Sequence, residues 1–96
     1  MAANPIATAA VSWIASSGDT NLRVYWTDGY TVSERIFANN AWSTGSFSQK
    51  GEQVSATAWA DANGERIRVY CTFEDVLTEW CQDDGGAWYQ GGFTLS

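Results

Sequence analysis

Arg23 and Glu34 stand eleven residues apart, and so do Arg68 and Glu79. That spacing brings the partners together only where the chain folds back between them. The first interval contains Thr27-Asp28-Gly29-Tyr30, a two-residue hairpin signal, because Asp-Gly tolerates positive φ at both central positions of a type I′ turn. Pairing Thr27 with Tyr30 sets Arg23 directly across from Glu34 on one face of the ribbon. The second interval turns at Phe73-Glu74-Asp75-Val76, a poorer turn that admits a bulge, and brings Arg68 against Glu79 in the same way. One such pair alone reads most simply as a cross-strand salt bridge worth about 0.2–1 kcal/mol. Two in register beside aromatic residues form a repeated device. A guanidinium fork next to a carboxylate offers fixed donors and acceptors that suit adjacent hydroxyl groups, as on a sugar ring.

Trp42 and Trp88 follow those glutamates by eight and nine residues, in Trp42-Ser43-Thr44-Gly45-Ser46-Phe47 and Trp88-Tyr89-Gln90-Gly91-Gly92-Phe93. An indole face packs on apolar C–H groups while its edge stays polar, and a nearby glycine lets a backbone N–H approach a ligand oxygen. Burial in the core would use the same two residues. Trp13 and Trp59, each within the first strand of its unit, read as core, and Trp26 and Trp80 as packing residues.

Other chemistries are excluded by what the chain lacks. It has no histidine, which removes the usual general base, the commonest metal ligand and every Ser-His-Asp or Cys-His arrangement. Cys71 and Cys81 have no metal-ligand spacing and are expected as free thiols, with Cys81 opposite Arg66 in the register above. No cofactor and no metal are expected. A net charge of −6 opposes nucleic acid as a partner, since phosphate neutralisation needs clustered Lys and Arg. No apolar run is long enough to span a membrane, and Met1-Ala2-Ala3-Asn4-Pro5 carries no readable signal peptide.

The elements that position these residues come as one unit written twice. Trp13, Gly18, Arg23-Val24-Tyr25, Thr27, Glu34, Ala41-Trp42, Gly45 and Phe47 recur as Trp59, Gly64, Arg68-Val69-Tyr70, Thr72, Glu79, Ala87-Trp88, Gly91 and Phe93, at a period of 45 or 46. Each unit carries four β-branched and aromatic runs broken by Gly, Asn and Asp. They span Ala9 to Trp13, Leu22 to Trp26, Thr31 to Phe37 and Trp42 to Phe47, then Ser55 to Ala60, Ile67 to Thr72, Val76 to Gln82 and Trp88 to Thr94. The fold class is all-β: two four-stranded antiparallel propeller blades, residues 8–52 and 53–96, in a single domain. Propellers close with roughly four to eight blades. Two blades leave open edges, so the expectation is a ring-forming homo-oligomer of two, three or four chains.

These motifs resemble the six-bladed fucose-binding lectins of the orange-peel-mushroom type, and especially their two-blade bacterial members. The resemblance rests on Leu22-Arg23-Val24-Tyr25 and Ile67-Arg68-Val69-Tyr70, on Thr78-Glu79-Trp80-Cys81 and on Gly86-Ala87-Trp88-Tyr89-Gln90-Gly91. It implies a homotrimer closing a six-bladed propeller, with L-fucose or fucosylated glycans in clefts between adjacent blades. The within-chain cleft would use Arg23, Glu34 and the Ser46 backbone against Gln82 and Trp88, with Ile67 and Trp59 lining the pocket for the sugar methyl. The between-chain cleft would use Arg68, Glu79 and the Gly92 backbone against a neighbour's Phe37 and Trp42, with Leu22 and Trp13 at the methyl. Family members often carry Trp or Tyr where this chain has Phe37 and Gln82. Losing a ring at Gln82 is expected to weaken the Arg23 cleft by about 1 kcal/mol.

A glycosidase is the rival reading, but it needs two carboxyl groups about 5–10 Å apart, and each repeat offers one Glu beside an Arg. Asp83-Asp84-Gly85-Gly86 reads as a solvated turn. The chain is therefore expected not to be an enzyme. A purely structural oligomerisation module is the third reading, separated from the first by whether sugar binds at all.

Overall fold

The computed structural model describes residues 4–95. The chain forms β1(Ala7–Ile14), β2(Thr20–Thr27), β3(Thr31–Ala38) and β4(Ala41–Lys50), then β5(Gln53–Asp61), β6(Gly64–Phe73), β7(Val76–Asp83) and the short β8(Tyr89–Gln90). They make two four-stranded antiparallel meanders, ordered β1-β2-β3-β4 and β5-β6-β7-β8. Strand alternation gives each sheet an apolar inner face. Val11, Tyr25, Val32 and Phe47 of the first sheet meet Ile67, Val69 and Cys71 of the second in one buried cluster, flanked by Trp13, Trp80 and Trp88. The second sheet thus covers one face of the first, while its own far face carries Arg68, Tyr70 and Glu79.

Both hairpins differ from the sequence expectation, and in opposite ways. In the first, Thr27 pairs with Val32, so the loop holds four residues and the ladder shifts by two. Asp28 causes this: its Oδ1 accepts the N–H groups of Tyr30 and Thr31 at 2.9 and 3.0 Å, and those two bonds hold its carboxyl below the usual range. Of the two turn residues only Gly29 has positive φ. In the second hairpin Phe73 pairs with Val76, and Glu74 and Asp75 take φ of 50° and 69°. The supposedly poorer turn is the tight one, with positive φ at both central residues.

A shift of two preserves the face. Arg23 therefore lies opposite Ile36 and Tyr25 opposite Glu34, while Arg68 lies opposite Cys81 and Tyr70 opposite Glu79. Each arginine sits diagonal to its glutamate, still within reach of a long side chain. Cys71 faces the first sheet and Cys81 the far side, so both thiols are buried and free. Cys81 lies opposite Arg68 and not Arg66, so the two are three residues apart along the strand and on opposite faces, and both the distance and the faces keep them apart. Strand β8 covers two residues where the sequence pattern predicts Trp88 to Thr94, because Gly91-Gly92 weakens the ladder.

Candidate functional site

Between β3 and β4 the register slips: Ser33 pairs with Ser48 but Arg35 with Thr44. Glu34 is left facing the extra residues Gly45 to Phe47, an arrangement that re-aims a side chain. Its Oε1 accepts the Phe47 N–H at 3.2 Å, and its Oε2 accepts from Arg23 Nη1 at 2.8 Å and from the Tyr25 hydroxyl at 2.7 Å. Three donors satisfy a carboxylate that is only 2 % exposed. Gly45 is required there, since a Cβ would lie 1.9 Å from Glu34 Oε1. Burial, and next the adjacent Glu34, push the Tyr25 phenol far above its ordinary range, so it stays protonated and donates.

The second sheet supplies the opposing wall. Trp88 packs edge-on against Phe47 with ring centres 4.7 Å apart, and against Tyr25 at 6.3 Å. Gln82 is almost fully buried, its Oε1 accepting from Arg23 Nη1 at 3.3 Å while its Nε2 donates to the Gly86 carbonyl at 2.9 Å. Ile67 is fully buried beneath them. Trp13 lies under the Arg23 guanidinium, 5.5 Å from charge to ring centre. Two buried donors here have no partner among the described residues, Arg23 Nε and Trp88 Nε1. Orphaned buried N–H groups are rare, because each costs about 1–3 kcal/mol.

The second copy repeats half of this arrangement. Glu79 Oε1 accepts the Phe93 N–H at 3.2 Å and Oε2 the Tyr70 hydroxyl at 2.7 Å, and a Cβ on Gly91 would fall 2.1 Å from Oε1. Among the described residues, however, Arg68 makes no ion pair with Glu79. It donates instead to Asp83 Oδ1 at 2.8 Å and to the Ile67 carbonyl at 2.9 Å, and it lies 5.3 Å above the Trp59 ring. Leu22, Phe37 and Trp42 gather on the far face of the first sheet, Leu22 paired with Phe37 and the two rings 5.2 Å apart. Among the described residues no second wall stands opposite Arg68.

The geometry corrects the sequence reading in two respects. Strand parity puts Trp13 on the face of Arg23 and Trp59 on that of Arg68, the reverse of the placement the resemblance implies. The Arg68–Glu79 pair is replaced by Arg68–Asp83. The backbone N–H groups that meet the glutamates are those of Phe47 and Phe93, next to the Ser46 and Gly92 expected at the sugar. Tyr25 and Tyr70 were missed as carboxylate donors although each lies two positions beyond its arginine, hence on the same face. Among the described residues no cluster of carboxylates or thiols could hold a metal ion.

No family model matches the chain. A fucose-specific lectin of Aleuria aurantia is 36 % identical over 92 residues, which cover 86 % of this chain and 29 % of the relative. A solved fucose lectin from Kordia zhangzhouensis, in complex with methyl-fucoside, superimposes with a TM-score of 0.78 at 38 % identity, over 91 % of this chain and 64 % of that one. The chain belongs to the fucose-lectin family. It thus spans less than a third of the Aleuria lectin and somewhat under two thirds of the Kordia lectin chain. Both relatives are lectins, and the two antiparallel meanders agree with the fold class expected for the family.

Proposed function

We propose that the chain is a carbohydrate-binding lectin for L-fucose and fucosylated glycans, working as a homotrimer that closes a six-bladed propeller. The observation that carries this reading is the pair of unpartnered donors, Arg23 Nε and Trp88 Nε1, beside the ion-paired Glu34 in a cleft between the two sheets. A sugar brings hydroxyl oxygens to those donors and C–H groups to the indole. The names of the relatives supply the sugar.

In the within-chain cleft, Arg23 donates and Glu34 accepts at neighbouring hydroxyls, the backbone at Ser46 and Phe47 closes one side, and Trp88 with Gln82 closes the other. Trp13 supports the guanidinium, and Ile67 underlies the apolar wall. In the between-chain cleft, Arg68, Glu79, Gly92 and Trp59 face Leu22, Phe37 and Trp42 of a neighbouring copy. Ring closure supplies this second wall, and it covers the apolar faces that a lone pair of sheets leaves open. Each cleft holds one glutamate occupied as an acceptor, which suits binding and not glycoside cleavage.

Tryptophan fluorescence titrated with L-fucose should change saturably, chelator should leave the curve unmoved, and sedimentation should give three chains. Binding without release of free sugar from a fucoside separates a lectin from a glycosidase. A monomer at micromolar concentration would overturn the ring, and silence towards fucose would leave a structural module.

A further inference from the structure

Arg68 should be the counterpart of Arg23, yet it points elsewhere. Asp83 ends β7 on the same face as Glu79, and its Oδ1 takes Arg68 Nη1 at 2.8 Å with Arg66 Nη1 at 3.5 Å. Its other oxygen accepts the Tyr89 hydroxyl. The first repeat has Ala38 where the second has Asp83, and Ser43 where it has Tyr89, so among the described residues no second carboxylate competes for Arg23, which meets only the neutral Gln82 amide besides Glu34.

We propose that Asp83, held by Tyr89, is a restraining residue that keeps Arg68 turned away from Glu79 and so sets the affinity of the second sugar site. The proposal rests on the lectin reading and concerns the regulation of that same site. Before Arg68 can join Glu79 at a sugar, it must leave a charge-assisted bond with a carboxylate. Glu79 offers a carboxylate in return, so the cost is the difference between the two pairings, and without ligand the chain holds Arg68 on Asp83 and not on Glu79. The binding-competent arrangement is therefore a minor population, and apparent affinity falls by that fraction. Asp83 is a positioning residue, acting through Arg68 without touching the ligand. Its neighbour Gln82 points through the opposite face of the same strand to Arg23, so one strand end governs both clefts independently.

The test is calorimetric titration of the assembled wild-type protein, Asp83→Asn and Tyr89→Phe with methyl-α-L-fucoside. Asp83→Asn keeps the side-chain shape and removes the charge. It should tighten half of the sites about fivefold, the scale of an exposed ion pair, with stoichiometry unchanged. The other half, at Arg23, stays at the wild-type value, which a general structural effect would not spare. Tyr89→Phe should move the same half in the same direction by a smaller factor, and it decides the matter alone if Asp83→Asn fails to assemble. Two classes in the wild type with no tightening in the variants, or weakening of the Arg68 class, overturns the restraint and leaves the lectin reading standing. No binding by the wild type overturns the lectin reading and the restraint with it.

Discussion

The two repeats carry the same Arg-x-Tyr, Glu and Gly-x-Phe residues, yet one holds its arginine on its own glutamate and the other does not. In the first sheet Glu34 is buried and gathers Arg23, Tyr25 and the Phe47 N–H. In the second, Glu79 gathers Tyr70 and the Phe93 N–H, while Arg68 goes to Asp83. The difference is one of cover: Gln82 and Trp88 of the second sheet stand against Arg23 and Phe47, whereas among the described residues no such wall faces Arg68. Local sequence writes the glutamate cradle twice, but a cleft needs two walls.

The largest contrast should come from the glycines. Gly45→Ala forces a Cβ into Glu34 and breaks a buried ion pair, at about 3–5 kcal/mol. Thermal unfolding should show a large fall for this variant and a much smaller one for Gly91→Ala, whose Glu79 is less buried. Equal losses would mean that the two cradles are equally covered in the free chain.

Removing the arginines separates the clefts by binding. Arg23→Ala and Arg68→Ala should each abolish one class of fucose site and halve the stoichiometry, since a charge-assisted hydrogen bond contributes about 1.5–3 kcal/mol. If both variants keep full stoichiometry, the arginines are cross-strand glue.

Alkali should distinguish the two tyrosines. The folded-state pKa of Tyr25 is raised, chiefly by burial, so its contribution is present below the unfolded value near 10. Above that pH the unfolded chain ionises while the native one does not. Stability should then fall by about 1.4 kcal/mol per pH unit, and Tyr25→Phe should remove more of this slope than Tyr70→Phe. Denaturant midpoints at pH 9 and 11 measure it, and a slope untouched by Tyr25→Phe would contradict the burial argument.

The smallest effect concerns the wall. Gln82→Trp adds a ring over the sugar and releases Arg23 from the amide of Gln82, so the Arg23 class should tighten about fivefold, or about 1 kcal/mol by the area term. Weakening would instead mark Gln82 as a specific polar contact. The sequence alone puts the whole expected deficit on this cleft; the restraint proposed at Asp83 would add a comparable one to the other and should bring the two classes closer in the wild type.

Repetition made the fold legible, because two copies of one strand pattern fix the sheets and their inner faces without a precise register. The glutamates, arginines and Trp88 were legible for the same reason. The exact pairing was not. Asp28 widens the first loop through its own side-chain bonds, and Glu74 and Asp75 accept positive φ, neither of which dipeptide preference reveals. Trp13 and Trp59 stand in the opposite clefts from those the resemblance implies because strand parity sets the face of each. Asp83 reads as a solvated turn residue because Asp-Asp-Gly-Gly has turn composition, whereas it ends β7 and takes Arg68.

Calorimetric titration of the wild-type assembly with L-fucose tests the central claim most directly, that one chain contributes to two distinct sugar clefts. About two fucose molecules bound per chain is the expected result. One or none per chain would contradict it.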